Sequence, residues 1–203
     1  MSAWTIPGVK TFEYTKIIGL ENIEFGEDIL IDDFVLIYAK KKMRLGNHVH
    51  IACFTSITGG EEFTIGDFSA VSQGCRILTG SDDFMNGGFG NSTISEKYRN
   101  TKRAPIRIGR FVIIGANSVV CPGVVIGEGV TVAACSVVTK DLEPWGVYAG
   151  NQRIRERNRE GVLQNYAVYL DDNPPGSGKD HEAFRAAYLR DASPPAGPGG
   201  RER

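Results

Sequence analysis

The sequence predicts an all-β-dominated chain: a parallel β-helix of six-residue repeats, with one excursion loop and a short C-terminal helix. The first observation is a ladder of apolar anchors. It runs Phe25, Ile31, Ile37, then Leu45, Ile51, Ile57, then Ile65, Val71, Ile77, and resumes at Ile108, Ile114, Val120, Ile126, Val132 and Val138. Gly46, Gly66, Gly109 and Gly127 each follow an anchor, where a corner conformation that a Cβ opposes is expected. The second observation is a small or β-branched residue four places after each anchor: Val49, Thr55, Ser69, Cys75, Val112, Ser118, Val124, Val130 and Ser136. That position lies two before the next anchor, so strand alternation turns both side chains inward. Each hexad is then a short strand plus a corner, and three hexads close one triangular coil. The third observation is the advance. Ile108 to Ile126 is one coil, whereas Phe25 to Leu45 to Ile65 carries two extra residues per coil.

Along the chain, residues 1–20 form an N-terminal lead-in that caps the open end. Residues 21–151 are the β-helix, interrupted at 82–105 by DDFMNGGFGNSTISEKYRNTKRAP. That stretch is polar, glycine-rich and aromatic-bearing, and a loop of this length inside a compact repeat is expected to be functional or disordered. Residues 152–170, charged and partly amphipathic, predict a helix over the C-terminal end. From Asp171 to Arg203 the chain is rich in Pro, Gly and charge, a flexible or docking tail with a possible short helix at HEAFRAAYLRD.

Composition removes several classes of function. A net charge of −1, with 23 basic and 24 acidic residues interspersed, offers no footprint for nucleic acid. No apolar run is long enough to span a membrane, and the first residues lack a signal-peptide layout. Cys53, Cys75, Cys121 and Cys135 form no C-x-x-C pair and read as packing residues of a reducing compartment, with the cytoplasm as the expected location. Tyr38, Phe54, Phe68 and Phe111 would leave apolar patches on flat outer faces, which an oligomer would cover.

Hexads of the form aliphatic–Gly–x–x–small–x, an excursion loop, and the block IIGANSVVCPGVVIGEGVTVAACSVVTKDLEPWGVYAG together resemble the hexapeptide-repeat acyltransferases. The resemblance spans residues 17–160, and TGSDDF before the loop places it nearest the branch acylating sugars, nucleotide-sugars and surface-polysaccharide precursors. It implies a left-handed β-helix, an acetyl-CoA co-substrate, no metal, and a homotrimer with active sites between subunits. Two departures stand out. Thr79-Gly80-Ser81-Asp82 lacks the histidine that the galactoside and maltose branch places before its loop, and Gln152 stands where the family often has proline.

Acyl transfer needs a base for the acceptor's proton and donors for the oxyanion, and histidine is the natural base near neutral pH. The chain has three: His48, His50 and His181. Alternation with Val49 and Ile51 sends His50 outward, Val49-His50-Ile51 matches a short motif of the amino-sugar branch, and His50 is the expected base. His48 falls near a corner and His181 in the tail. Asp82 and Asp83 orient His50, bind sugar hydroxyls or act as base on one reading, and make a plain side-chain-bonded turn on the other. Phe84, Phe89 and Tyr98 are placed to stack on a sugar ring, with Lys97, Arg99, Lys102 and Arg103 near a pyrophosphate or the coenzyme's phosphates. The resemblance assigns coenzyme A to corner positions Gly115-Ala116, Ala133-Ala134 and Thr139-Lys140, with Lys140 on a phosphate and Arg153 and Arg155 towards the adenine end. No Ser or Cys nucleophile with a base partner is evident, so direct transfer in a ternary complex is expected. The expected function is O-acetylation of a sugar or surface-polysaccharide precursor. The alternatives are N-acetylation of a nucleotide-linked amino sugar, and a non-catalytic assembly platform. Three histidines do not converge as a zinc enzyme on this helix would need.

Overall fold

In the computed structural model, the described residues are 6–83 and 85–173. They form three parallel sheets that run as the walls of a prism. The first wall contains Val9–Thr11, Ile29–Ile31, His50–Ile51, Ala70–Val71, Ile113–Ile114, Thr131–Val132 and Gly146–Ala149. The second runs from Lys16–Ile18 through Leu36–Tyr38, Ser56–Thr58, Arg76–Leu78 and Val119–Val120 to Val137–Val138. The third holds Ile23–Phe25, Met43–Leu45, Phe63–Ile65, Ile106–Ile108 and Val125–Ile126. Register keeps equivalent hexad positions stacked: Ile31 on Ile51 on Val71 on Ile114 on Val132.

Both inward positions are where the repeat puts them. Ile31, Ile51, Val71, Ile114 and Ile57 have no exposed surface, and Val49, Thr55, Ser69, Ser118 and Ser136 are buried with them. Three of these four hydroxyls donate to corner carbonyls of the next coil, Thr55 Oγ1 to Ser72 O at 3.0 Å, Ser69 Oγ to Gly109 O at 2.9 Å and Ser118 Oγ to Ala133 O at 3.1 Å, while Ser136 Oγ accepts from Gly150 N at 3.0 Å. A small polar side chain therefore fits two places before an anchor because a partner stands above it.

The corner glycines have a different reason from the one expected. Positive φ falls three residues after the anchor, on Asp28, His48, Phe68 and Phe111 at one edge and on Phe34, Phe54, Asn117 and Cys135 at another. The glycine directly after the anchor instead clears the stacked corner above it. A Cβ on Gly66 would lie 2.7 Å from Arg110 N and 2.8 Å from Gly109 C.

Three boundaries also move. The lead-in is already coil from Val9 onward, since Val9–Thr11 pairs with Ile29–Ile31 and Lys16–Ile18 with Leu36–Tyr38. Thr11 occupies the place of an aliphatic anchor there, which weakens the repeat signal at this end. Residues Gln152–Glu156 form a strand rather than the start of a helix, folding back antiparallel on Gly146–Ala149 across Gly150-Asn151. Gly150 has φ 59°, the conformation a tight hairpin needs. The helix runs from Arg159 to Asp172, and the Asn158 side chain caps it by accepting from Gly161 N at 3.0 Å. The described residues 158–173 belong to a unit separate from the coils. The short helix expected at HEAFRAAYLRD, and His181, fall outside the described residues.

Of the four apolar side chains expected to need an oligomer, two are covered within the chain. Phe111 is only 7% exposed, and Phe68 stacks between it at 5.7 Å and His48 at 4.6 Å. Tyr38 and Phe54 remain exposed, and Phe54 stacks on Phe34, which stacks on Tyr14, each pair at 5.2 Å. Cys75 is buried, as a packing residue should be, but Cys135 is exposed at its corner.

Candidate active site

His50 projects outward from the first wall, with Val49 and Ile51 buried on either side of it. Its backbone is fixed by the ladder, His50 N donating to Ser69 O at 3.1 Å. The imidazole has a partner that the sequence reading missed: Nε2 lies 3.1 Å from Asp32 Oδ2, one coil earlier. The two side chains keep 42% and 27% of their surface open. A signal for Asp32 did exist. It occupies the corner after an anchor, where the next coils carry Ala52, Ser72, Gly115 and Ala133. A lone carboxylate in a column of small residues breaks the repeat. His48 is engaged elsewhere, stacked on Phe68 and 3.5 Å from Asp28.

The loop leaves from the corner between the second and third walls, the corner that also absorbs the two extra residues of the earlier coils. Its base is a short antiparallel pair, Gly80–Ser81 with Lys102–Arg103. The adjacent aspartates then divide. Asp83 accepts from the amides of Met85, Asn86 and Gly88 and from the side chains of Asn86 and Asn100, so both of its oxygens serve the loop. Those donors, the Met85 amide foremost, hold its carboxyl well below the usual carboxylate range. Asp83 thus makes the side-chain bonds of a turn. Asp82 receives Arg99 Nε at 2.9 Å, Arg99 Nη2 at 2.6 Å and Thr101 Oγ1 at 3.2 Å, all on Oδ1. Its second oxygen takes no hydrogen bond among the described residues.

This pairing gives Arg99 a different place from the phosphate site expected of it: its side chain is only 11% exposed and is spent on Asp82. Arg103 is likewise tied to Glu96 and to Gly59 O. Lys97 lies over the Tyr98 ring at 4.6 Å, and Tyr98 meets Phe89 at 6.1 Å with both rings largely exposed. Phe84 lies outside the described residues.

The corner positions assigned to coenzyme A fall into two sets. Gly115-Ala116 and Ala133-Ala134 stack on one edge, so closely that a Cβ on Gly115 would come within 2.5 Å of Ala134 N. The ladder uses the amides of Gly115 and Ala133, bonded to Val132 O and Tyr148 O at 2.8 Å each. Among the described residues, the amides of Ala116 and Ala134 have no such partner. The amides of Thr139 and Lys140 are already taken by Asn151 Oδ1, at 2.8 and 3.2 Å, and do not offer the donors expected of them. Arg153 is paired with Glu156, while Arg155 stands on the exposed outer strand opposite Val147. His50 and Ile113 share the first wall with Ala70 between them, so the His50–Asp32 pair and the bare corner at Gly115 lie along one edge.

Two shallow grooves of about 270 and 300 Å³ share Arg44 and Gly46 on the third wall and contain none of these residues. Among the described residues, no group of three or more His, Cys, Asp or Glu could hold a metal ion, and no helix is long and apolar enough to cross a membrane.

Residues 105–140 match the family described as bacterial transferase hexapeptide (six repeats). The chain is 31% identical to the dTDP-4-amino-4,6-dideoxy-D-glucose acyltransferase of Escherichia coli over 79% of its length and 85% of that protein. It is also 31% identical to the putative colanic acid biosynthesis acetyltransferase WcaF of E. coli K12, over 70% and 73% of the two chains. Among solved structures, AntD, an N-acyltransferase from Bacillus cereus in complex with dTDP and 3-hydroxybutyryl-CoA, superposes with a TM-score of 0.77 at 32% identity, covering 82% of this chain and 89% of that one. Fold, repeat and relatives agree: the chain belongs to the hexapeptide-repeat acyltransferases, left-handed parallel β-helix enzymes, in the sugar-acylating branch.

Proposed function

We propose that the chain moves an acyl group from a coenzyme A thioester to the amino group of a nucleotide-linked sugar. The observation that carries this reading is the similarity to the dTDP-amino-sugar acyltransferase and to AntD, which extends over about four fifths of the chain. It shifts the acceptor from the hydroxyl expected of the sequence to an amine. Hydroxyl transfer is the second reading, supported by the similarity to the putative lipopolysaccharide biosynthesis O-acetyl transferase WbbJ of E. coli K12, at 29% identity over 70% of the chain.

In the proposed reaction the acceptor nitrogen attacks the thioester carbonyl. The C–S bond breaks, the amide forms, and the proton leaving nitrogen passes to His50 and finally to the departing thiolate. The amides of Ala116 and Ala134, without a partner among the described residues, suit the oxyanion or the pantetheine amides. Lys140, Arg153 and Arg155 are retained for the phosphates and adenine, and Tyr98, Lys97 and Phe84 for the acceptor. Asp82 Oδ2, which takes no hydrogen bond among the described residues while Arg99 and Thr101 grip Oδ1, suits an amine donor. Asp82 is also a rival base: AntD has been crystallised with substitutions at a serine and at an aspartate ten positions beyond it, and Ser72 and Asp82 have the same spacing here.

The assembly in this reading is a homotrimer with its active sites between subunits. Exposed Tyr14, Phe34 and Phe54 along one edge, with Ile18, Leu36 and Tyr38 on the adjoining wall, give the apolar surface for it. Sedimentation equilibrium should return three copies.

The deciding experiment is a thiol-release assay with acyl-CoA and paired acceptors, a nucleotide-linked amino sugar and its hydroxyl counterpart. Preference for the hydroxyl compound overturns the amine assignment. In the same assay His50→Ala is expected to lower kcat by ~10²–10⁴-fold. If only Asp82→Asn does so, the base is Asp82.

A further inference from the structure

We infer that Asp32 is a positioning residue that fixes the tautomer of His50, with the proton on Nε2 and the lone pair on Nδ1. The inference rests on the reading of His50 as the base and deepens it by naming the atom that takes the proton. Three observations converge. Asp32 Oδ2 lies 3.1 Å from His50 Nε2, and a carboxylate at neutral pH only accepts, so Nε2 must donate. The backbone that carries the carboxylate is held by the coil: Asp32 N donates to Ile51 O at 3.0 Å, and Asp32 O accepts from Thr15 Oγ1 at 3.0 Å. It is also out of pattern, since the next coils have Ala52, Ser72, Gly115 and Ala133 at this corner. Those residues leave a smooth edge, and Asp32 is the one that reaches a neighbour's ring.

Room for an acceptor follows from the column of His50 itself. Below the ring stands Leu30 and above it Ala70, the smaller of the two. The ring is thus less crowded on the side of Ala70. A base whose second nitrogen is held by a carboxylate keeps its orientation and tautomer through the proton transfer, and loses both when the carboxylate becomes an amide.

The test uses the full chain with ¹⁵N-labelled histidine. Three histidines make the ring signals assignable through His48→Gln, His50→Gln and His181→Gln. The wild-type spectrum at a pH where the imidazole is neutral should show His50 as the Nε2–H form, and Asp32→Asn should mix or invert it. In steady-state assays Asp32→Asn is expected to lower kcat about 10- to 100-fold with little change in either KM, and Asp32→Glu to restore part of the loss. An unchanged His50 tautomer in Asp32→Asn overturns the inference while leaving His50 as base. Full turnover in His50→Ala overturns both.

Discussion

Asp32 and Asp83 are both surface aspartates, one on the wall of coils and one in the excursion loop, and their backbones are fixed by opposite means. Asp32 is held by the coil above it through Asp32 N to Ile51 O at 3.0 Å, a bond any residue at that position would make. Its carboxylate is left over for His50. Asp83 is the organiser of its own surroundings: three backbone amides and two side-chain amides converge on it, and nothing is left over. A repeat wall supplies backbone order from its neighbours and frees side chains for chemistry. A loop without that ladder must spend side chains on order, and Asp83, Arg103 and Glu96 are spent so.

The largest effect that would break this contrast is on the wall. Ile51→Ala removes a fully buried anchor between Ile31 and Val71 and is expected to cost about 2–5 kcal/mol, measured by urea unfolding. Gly66→Ala should cost less, about 1–3 kcal/mol, because the new Cβ meets backbone atoms that can shift only with the coil above. Asp83→Ala should leave the unfolding midpoint unchanged. It should instead strip hydrogen-exchange protection from the Met85, Asn86 and Gly88 amides and raise the acceptor KM several-fold. A midpoint lowered as far as in Ile51→Ala would mean that the loop is part of the core. Acid gives the mildest version of the same test. The folded carboxyl of Asp83 is depressed, so its contribution is complete above the ordinary carboxylate range and is lost as pH falls through its own lower value. Loop protection should therefore survive at pH 5 and fade only in stronger acid, without loss of the coils' signals.

The hexad pattern made much of this legible in advance. Anchors and their partners four residues on are buried as the alternation required, and His50 faces outward for the same reason. The failures have physical causes. Gln152–Glu156 carries charge at helix-compatible spacing, and only the pairing with Gly146–Ala149 makes it a strand. Phe68 and Phe111 carry the same residue type in the same corner conformation as Phe54, yet they are covered by His48 and by each other. Arg99 looked like a free cation because its partner Asp82 is seventeen residues away across a fold of the loop.

What the sequence by itself determined is the period: a six-residue recurrence of apolar and small residues can be buried all at once only by winding the chain into coils of three short strands. Local alternation then decides inside from outside for every hexad. Tertiary structure alone decided which polar groups meet. Asp32 and His50 are eighteen residues apart, and they touch because one turn of the coil returns the chain to the same edge. Asp82 and Asp83 are neighbours in sequence with identical chemistry, and only the folded loop gives one of them five hydrogen bonds and leaves the other, among the described residues, an oxygen without one.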